Sequence, residues 1–499
     1  MPSAIAGAFV LTVYADTGAL LYELPRPLVG AIVAAGVLQA TCIAITRSAH
    51  RGTMSAAAMV VALIDLKIAL AVAILVWWVL LARRIRWHFL PSREQLSSAL
   101  RVFVILLLIM SALRVMTGEA FDLDDLAERS NGSGAAVPTD SDIFLLMLDG
   151  YPRSDTLLEN GYDNAWFETE LAQRGFATSD QSTSNYPYTG LVLASMFNAA
   201  HLVDIQSLNP APESHVGQTR ALIDAINHGW ALRVVEERGY WTASAGLTEV
   251  RGSIRAVDQV LDAGEIRLWE RQVLQRTSIW PLLCEAVVIP QHRSLIESTF
   301  KAVEATASAD RNEPTFMFAH VMSPHTPIVF DENGDPATVR ASGGCGAQFH
   351  IDATEIGLTP SAYWAAMAEQ VHYLNTLTLD AIDAVIEASP EAVIVIFSDH
   401  GARYSQAPTR EWFHTFFAAR TPGQAALYGD EARPVDIFPK LFEAYFGINS
   451  TPVDDRRFTS THGIFMPLII EPWPSVKAST APGEQHSGDR AHEDAQVLP

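Results

Sequence analysis

Four apolar runs in the first 116 residues, roughly 4–22, 28–46, 56–82 and 99–116, constrain this chain more than any other feature. Each approaches the ~20 residues a helix needs to cross a hydrocarbon core, and a backbone in lipid must satisfy its own N–H and C=O groups. The reading is an N-terminal α-helical transmembrane bundle of about four helices over 1–116. The third run, AAAMVVALIDLKIALAVAILVWWVLL, is followed at once by RRIR, and its Trp77 and Trp78 suit a membrane interface. The first run carries Asp16 and Glu23 in or at its edge. A cleaved signal peptide is the rival reading there, but no Lys or Arg precedes Arg26 to form a basic leader. Asp65 and Lys67, inside the third run, do not face each other on a helix, and pairing with neighbouring helices accounts for them.

Charge divides the chain at the same point. Residues 1–116 hold ten Lys or Arg against four Asp or Glu, a net of +6, whereas 117–499 hold 24 against 52, a net of −28. An acidic domain repels nucleic acid, whose affinity rests on basic side chains neutralising phosphates, so no nucleic-acid partner is expected. If loop 83–98 is cytoplasmic, that side collects Arg26, Arg83, Arg84, Arg86, Arg93 and Arg101, against Arg47, Arg51 and Arg114 opposite. The protein is then multi-pass in the plasma membrane, with its acidic domain extracytoplasmic beyond a polar linker at 117–141. Of the three cysteines, Cys42, Cys284 and Cys345, the last two fall in that domain and can pair in an oxidising compartment.

Within 142–470 the pattern alternates. DIFLLMLD is followed by helical pattern near 163–174, then by a longer helical region at 218–238. FMFAHV (316–321), VIVIFSD (393–399) and IFMPLII (464–470) are further short apolar runs. Continuous rather than alternating apolar runs suit strands buried on both faces, as in a parallel sheet covered by helices. A long helix opens at Thr359-Pro360 and stops before Pro390. The expected fold is an α/β sandwich, with 471–499 a disordered tail rich in Pro, Ser and charge.

Ligands of open α/β sheets gather at the carboxyl ends of strands, and here those ends carry Asp149-Gly150, His320 and Asp399-His400-Gly401. Two aspartates, a histidine and a hydroxyl suit one divalent metal ion, Mn²⁺ or Zn²⁺. The hydroxyl is that of Thr189 in SNYPYTGLVLASMFN, at the start of a helix whose free N–H groups favour an anion. Taken singly, Thr189 also reads as an N-cap and Asp149-Gly150 as a turn.

Together, D-G after the first strand, a Thr opening a helix that ends S-M-F-N, H-x4-H followed by T-P, and S-D-H-G after a late strand resemble the alkaline phosphatase superfamily in its sulfatase-like branch. The chain looks most like membrane-anchored phosphoethanolamine and phosphoglycerol transferases, including lipoteichoic acid synthases. The resemblance covers 142–470 by motif and 1–116 by architecture. It implies that Thr189 is the nucleophile of a phospho-threonine intermediate, and that Asp149, Thr189, Asp399 and His400 bind the metal. It implies that His320 and His325 contact the phosphoryl or leaving group, and that Asn375 and His414 lie on the substrate side. His462, in STHG, resembles a metal-site histidine of related nucleotide pyrophosphatases and reads equally as a histidine at a strand start. Thr189 lacks the C-x-P-x-R or S-x-P-x-R setting of true sulfatases, which narrows the chemistry from sulfate to phosphate. The expected function is transfer of a phosphoryl-linked head group from a membrane lipid donor to a cell-envelope glycan or lipid acceptor. A phosphodiesterase or sulfatase-like hydrolase with the same site, or a non-catalytic sensor or scaffold, are the alternatives.

Overall fold

Six consecutive apolar side chains, IFLLML, form β1 (Ile143–Leu148), and every one of them is buried. Side chains of a strand alternate between faces, and β1 sends Ile143, Leu145 and Met147 into one core and Phe144, Leu146 and Leu148 into another. The computed structural model describes residues 1–17, 24–64, 102, 105, 109, 110, 141–246, 254–261, 268–337, 359–403, 410–460 and 468–473. The strands are β2 (Ala177–Thr178), β3 (Trp241–Gly246), β4 (Gln259–Leu261), β5 (Thr315–Val321), β6 (Val393–Phe397), β7 (Phe417–Arg420), β8 (Phe458–Ser460) and β9 (Ile470–Pro472). Seven of them build one sheet in the order β2-β7-β6-β1-β5-β3-β4. Its centre is parallel, and β7 and β2 close one side antiparallel.

One face is covered by the helices Thr189–Asn198, His215–Asn227, Trp230–Glu237 and Ile437–Phe446, which bury Phe197, Ile226, Val235 and Phe438 against it. The other is covered by Ala165–Gln173, Ile289–Ala307 and the 29-residue helix Pro360–Ala388. Thr359 caps that last helix, its side chain accepting the Ala362 N–H. This is the expected α/β sandwich, with the strands at 143, 316 and 393 and the helix at 359 where the sequence pattern put them.

Three expectations need correction. The helical region at 218–238 is two helices, because Gly229 passes Phe197 so closely that a Cβ would lie 2.7 Å from the Phe197 Cβ. Of the run IFMPLII only 468–470 fall among the described residues, and there Ile470 opens β9, which pairs antiparallel with β8 in a ribbon separate from the main sheet. That pairing also carries order past 470, since Glu471 and Pro472 belong to β9 and the Trp473 ring lies 5.3 Å from Phe413. Residues 474–499 lie outside the described residues, as do Asp65, Lys67, His462, Cys345 and the linker up to Asp140.

Of the four apolar runs, the described residues contain the helices Pro2–Thr17, Pro25–Thr46 and Ala49–Ile64. Among them Pro25–Thr46 is long and apolar enough to cross a membrane, with mean hydropathy 2.2, and Val29, Val33, Val37 and Ile45 stand exposed on it. The remainder of the third run and most of the fourth fall outside the described residues. Val10, Val13 and Tyr14 of the first helix pack against Ile223 and Val273 of the α/β domain, and Arg26 pairs with Glu270 at 3.2 Å. Cys284 is disulfide-bonded and Cys42 is a free thiol.

Candidate metal and anion site

β5, β1 and β6 lie side by side, with Met147 opposite both His320 and Phe397. The residues that follow these strands therefore leave the sheet at one edge. Asp149 is 1% exposed, and its Oδ2 accepts a hydrogen bond from His320 Nε2 at 2.9 Å while His400 Nε2 lies 3.3 Å from Oδ1. Gly150 turns the chain with φ +72°, a left-handed conformation, and a Cβ there would come within 3.3 Å of His400 Cε1. Its N–H donates to Asp399 Oδ1 at 3.1 Å, and the Tyr151 N–H donates to Ser398 Oγ at 2.8 Å. These two bonds tie the end of β1 to the end of β6.

His325 and His400 share one arrangement. Each Nδ1 lies 2.7 Å from a backbone carbonyl, of Thr326 and Gly401 respectively. A carbonyl only accepts, so Nδ1 carries the proton and Nε2 presents a lone pair, the state in which histidine binds metals. The His325 N–H also donates to the Asp149 carbonyl at 2.8 Å, and cis peptide bonds precede Pro324 and Pro327 on either side. Asp149, His325 and His400 each offer a ligand atom, all within 4.8 Å of one another. Asp149 Oδ1 and Asp399 Oδ2 are buried, and among the described residues no hydrogen-bond donor reaches them. Orphaned carboxylate oxygens are costly to bury, and beside two inward lone pairs they fit a divalent cation with mixed oxygen and nitrogen ligands.

Electrostatics agree with that donor set. Burial alone raises the Asp149 carboxyl, but His325, His320 and His400 outweigh it and hold the group well below the usual carboxylate range. Burial pushes the His325 imidazole down to about 4 against the attraction of Asp149, and neighbouring Arg403 adds to the push. Near neutral pH the aspartate is thus ionised and His325 neutral, as metal ligands must be.

The remaining expected residues fall in different places. Thr189 is the first residue of its helix rather than the cap: Tyr188 is the N-cap, in extended conformation, and among the described residues nothing hydrogen-bonds the Thr189 hydroxyl. Its side chain is half-buried. His320 contacts Asp149, its β5 register setting it opposite Met147, two residues before that carboxylate. Asn375 is fully buried in a triangle, accepting from the Tyr151 hydroxyl at 2.7 Å and donating to Asn164 at 2.9 Å. It supports the Asp149–Tyr151 turn from below. His414 Nδ1 lies 3.1 Å from Arg153 Nη2, and burial and that guanidinium push His414 down to about 4. Arg153 in turn forks onto Asp155 at 2.9 and 2.6 Å.

Arg403, Tyr188 and Trp412 were not legible as site residues. Arg403 Nη2 lies 3.0 Å from His325 Nε2 and 2.8 Å from His400 Nε2, and its guanidinium sits 5.4 Å from the Tyr188 ring centre and 5.9 Å from Trp412. The available signal was position: an arginine three residues beyond His400 cannot leave the strand end.

No protein-family model matches the chain, and no curated protein matches it by sequence. Its structural neighbours are domains of phosphoethanolamine transferases, sulfatases and a phosphonate monoester hydrolase. The C-terminal periplasmic domain of EcEptC from Escherichia coli, in complex with Zn, is 12% identical, with TM-score 0.42, 64% of this chain and 89% of that one covered. The corresponding domain of phosphoethanolamine transferase EptC from Campylobacter jejuni is 12% identical, with TM-score 0.40 and coverages of 64% and 93%. The phosphonate monoester hydrolase of Agrobacterium radiobacter is 13% identical, with TM-score 0.41 and coverages of 64% and 80%. Likeness at this level assigns neither substrate nor chemistry, which have to come from the site itself.

Proposed function

We propose that this chain is a membrane-anchored, metal-dependent phosphotransferase of the alkaline phosphatase superfamily, sulfatase-like branch, with Thr189 as nucleophile. The observation that carries the reading is the convergence of Asp149, His325 and His400, with Asp399 beside them, at the carboxyl edge of β1, β5 and β6. Asp149, Asp399, His325 and His400 would hold one Zn²⁺ or Mn²⁺. Such an ion supplies Lewis acidity that lowers the pKa of a bound hydroxyl and offsets phosphoryl charge.

The protein's own groups account for the rest. His320 holds Asp149 through Oδ2, and the Thr326 and Gly401 carbonyls hold the two imidazoles with their lone pairs inward. Thr189, uncommitted to capping, sits at the positive end of its helix, where an alkoxide or phosphate is favoured. The Thr189 oxygen attacks phosphorus, and its proton passes through solvent to the departing lipid oxygen. The P–O bond to the lipid alcohol breaks, and that oxygen leaves as diacylglycerol or a similar alcohol on protonation. An acceptor hydroxyl on an envelope glycan or lipid then attacks the phospho-threonine, transferring its proton and restoring Thr189. The apolar helix Pro25–Thr46 supports membrane anchoring, and disulfide-bonded Cys284 supports an extracytoplasmic, oxidising location for the domain. A multi-pass anchor rests on the four apolar runs.

Mass spectrometry of the purified, metal-replete protein after exposure to native membrane lipids tests the reading. A phosphoryl-linked mass on Thr189 is expected, absent from Thr189→Ala. No adduct under those conditions would overturn the nucleophile assignment, and turnover indifferent to added acceptor would leave a hydrolase.

A further inference from the structure

Arg403 donates one nitrogen, Nη2, to the Nε2 atoms of both His325 and His400. Those lone pairs are the ones a metal ion would use, and a guanidinium has no other role for them because it only donates. Among the described residues no carboxylate lies within ion-pair distance of Arg403, so this permanent cation has two imidazole nitrogens and two aromatic faces for company. Beside it, Trp412 is 4% exposed, and among the described residues its Nε1–H has no acceptor. Trp412 packs edge-on against Tyr188, ring centres 6.3 Å apart, and Tyr188 caps the helix that Thr189 begins. Buried polar groups without partners are rare and call for an explanation.

We infer that Arg403 and Trp412 Nε1–H form a receptor for a tetrahedral oxyanion beside Thr189, with Arg403 parked on the two histidine lone pairs until a metal ion claims them. The ligand class is the phosphoryl group of a phosphodiester, or inorganic phosphate as its simplest stand-in. The Arg403 guanidinium already lies 5.4 Å from the Tyr188 ring centre and 5.9 Å from that of Trp412, the ring that carries the unpartnered N–H, so both donors border one space. A single side chain would thereby compete with a metal ion for the two histidines and, once displaced from them, favour anion binding. The role of the receptor rests on the phosphotransferase reading, but the two binding equilibria can be measured without turnover.

The test uses full-length protein in detergent. Zinc binding is titrated calorimetrically without phosphate, and inorganic phosphate is then titrated into the zinc-loaded protein. Arg403→Ala is expected to bind zinc about 10-fold more tightly or better, since a charged hydrogen bond no longer competes, and to bind phosphate at least about 10-fold more weakly. Trp412→Phe keeps the ring and loses the donor, so zinc affinity should hold while phosphate affinity falls about 5- to 10-fold. Unchanged or weaker zinc binding in Arg403→Ala would overturn the parking role. Unchanged phosphate binding in both variants would overturn the receptor. If phosphate binds as described but no adduct forms on Thr189, the receptor stands and the nucleophile assignment falls.

Discussion

Replacing His320 with alanine removes a side chain that touches no metal in this reading, yet metal affinity should fall. The His320 Nε2–H reaches Asp149 Oδ2 at 2.9 Å, and both side chains are 2% exposed, so the bond is shielded from bulk solvent. A hydrogen bond to a charged group contributes about 1.5–3 kcal/mol. Part of that is expressed as metal affinity, because the carboxylate loses both its orientation and one of the contacts that keep it ionised. Changes to groups that hold metal ligands typically cost 10- to 100-fold in affinity, which corresponds to about 1.4–2.7 kcal/mol. Zinc titration by calorimetry at pH 7 should show a loss in that range for His320→Ala. His320→Gln, which retains a donor, should recover part of it. Circular dichroism would verify that both variants fold. Should His320→Ala bind zinc as the unaltered protein does while His400→Ala does not, the Asp149–His320 bond has no part in shaping the site.

Other outcomes follow from the same geometry. Thr189→Ala should lower lipid-dependent turnover at least about a thousandfold while leaving the fold intact, as judged by thermal unfolding. Metal-free protein should lose stability as pH falls from about 6.5 towards 4. His325 and His414 both have imidazoles pushed down to about 4, so the unfolded chain binds more protons throughout that window. Denaturant melts from pH 7.5 to 4.5 in chelator would read this slope, and His414→Gln should flatten it. The depressed Asp149 carboxyl acts lower, its contribution being lost only as pH falls below the ordinary carboxylate range. Gly150→Ala should cost about 1–2 kcal/mol for the left-handed backbone alone, before any displacement of His400, and a lower unfolding midpoint with weaker zinc binding would register both effects.

The amino-acid sequence alone determined the division of this protein into an apolar N-terminal region and an acidic α/β domain. It did so because hydrophobic runs and net charge are local, additive properties. Ile143–Leu148, Thr315–Val321 and Val393–Phe397 were legible as central strands since burial on both faces leaves runs that are apolar throughout or, in the second, interrupted inside only by His320. β3, whose WTASAG is half polar, and the four-residue β7 carry no such signature and depend on neighbours for their place. Asp149, His325, Asp399 and His400 could be named because strand ends and a resembling motif point to them. Their roles came from pairing register and turn geometry, which join residues some 250 positions apart. Register brought His320 onto Asp149, and packing closed Asn375 into a triangle with Tyr151 and Asn164. Likewise, only the folded chain brings Arg403 onto two imidazoles and Trp412 beside it. Local pattern encodes which elements form, while the contacts that give a side chain its chemistry exist only once distant segments have packed.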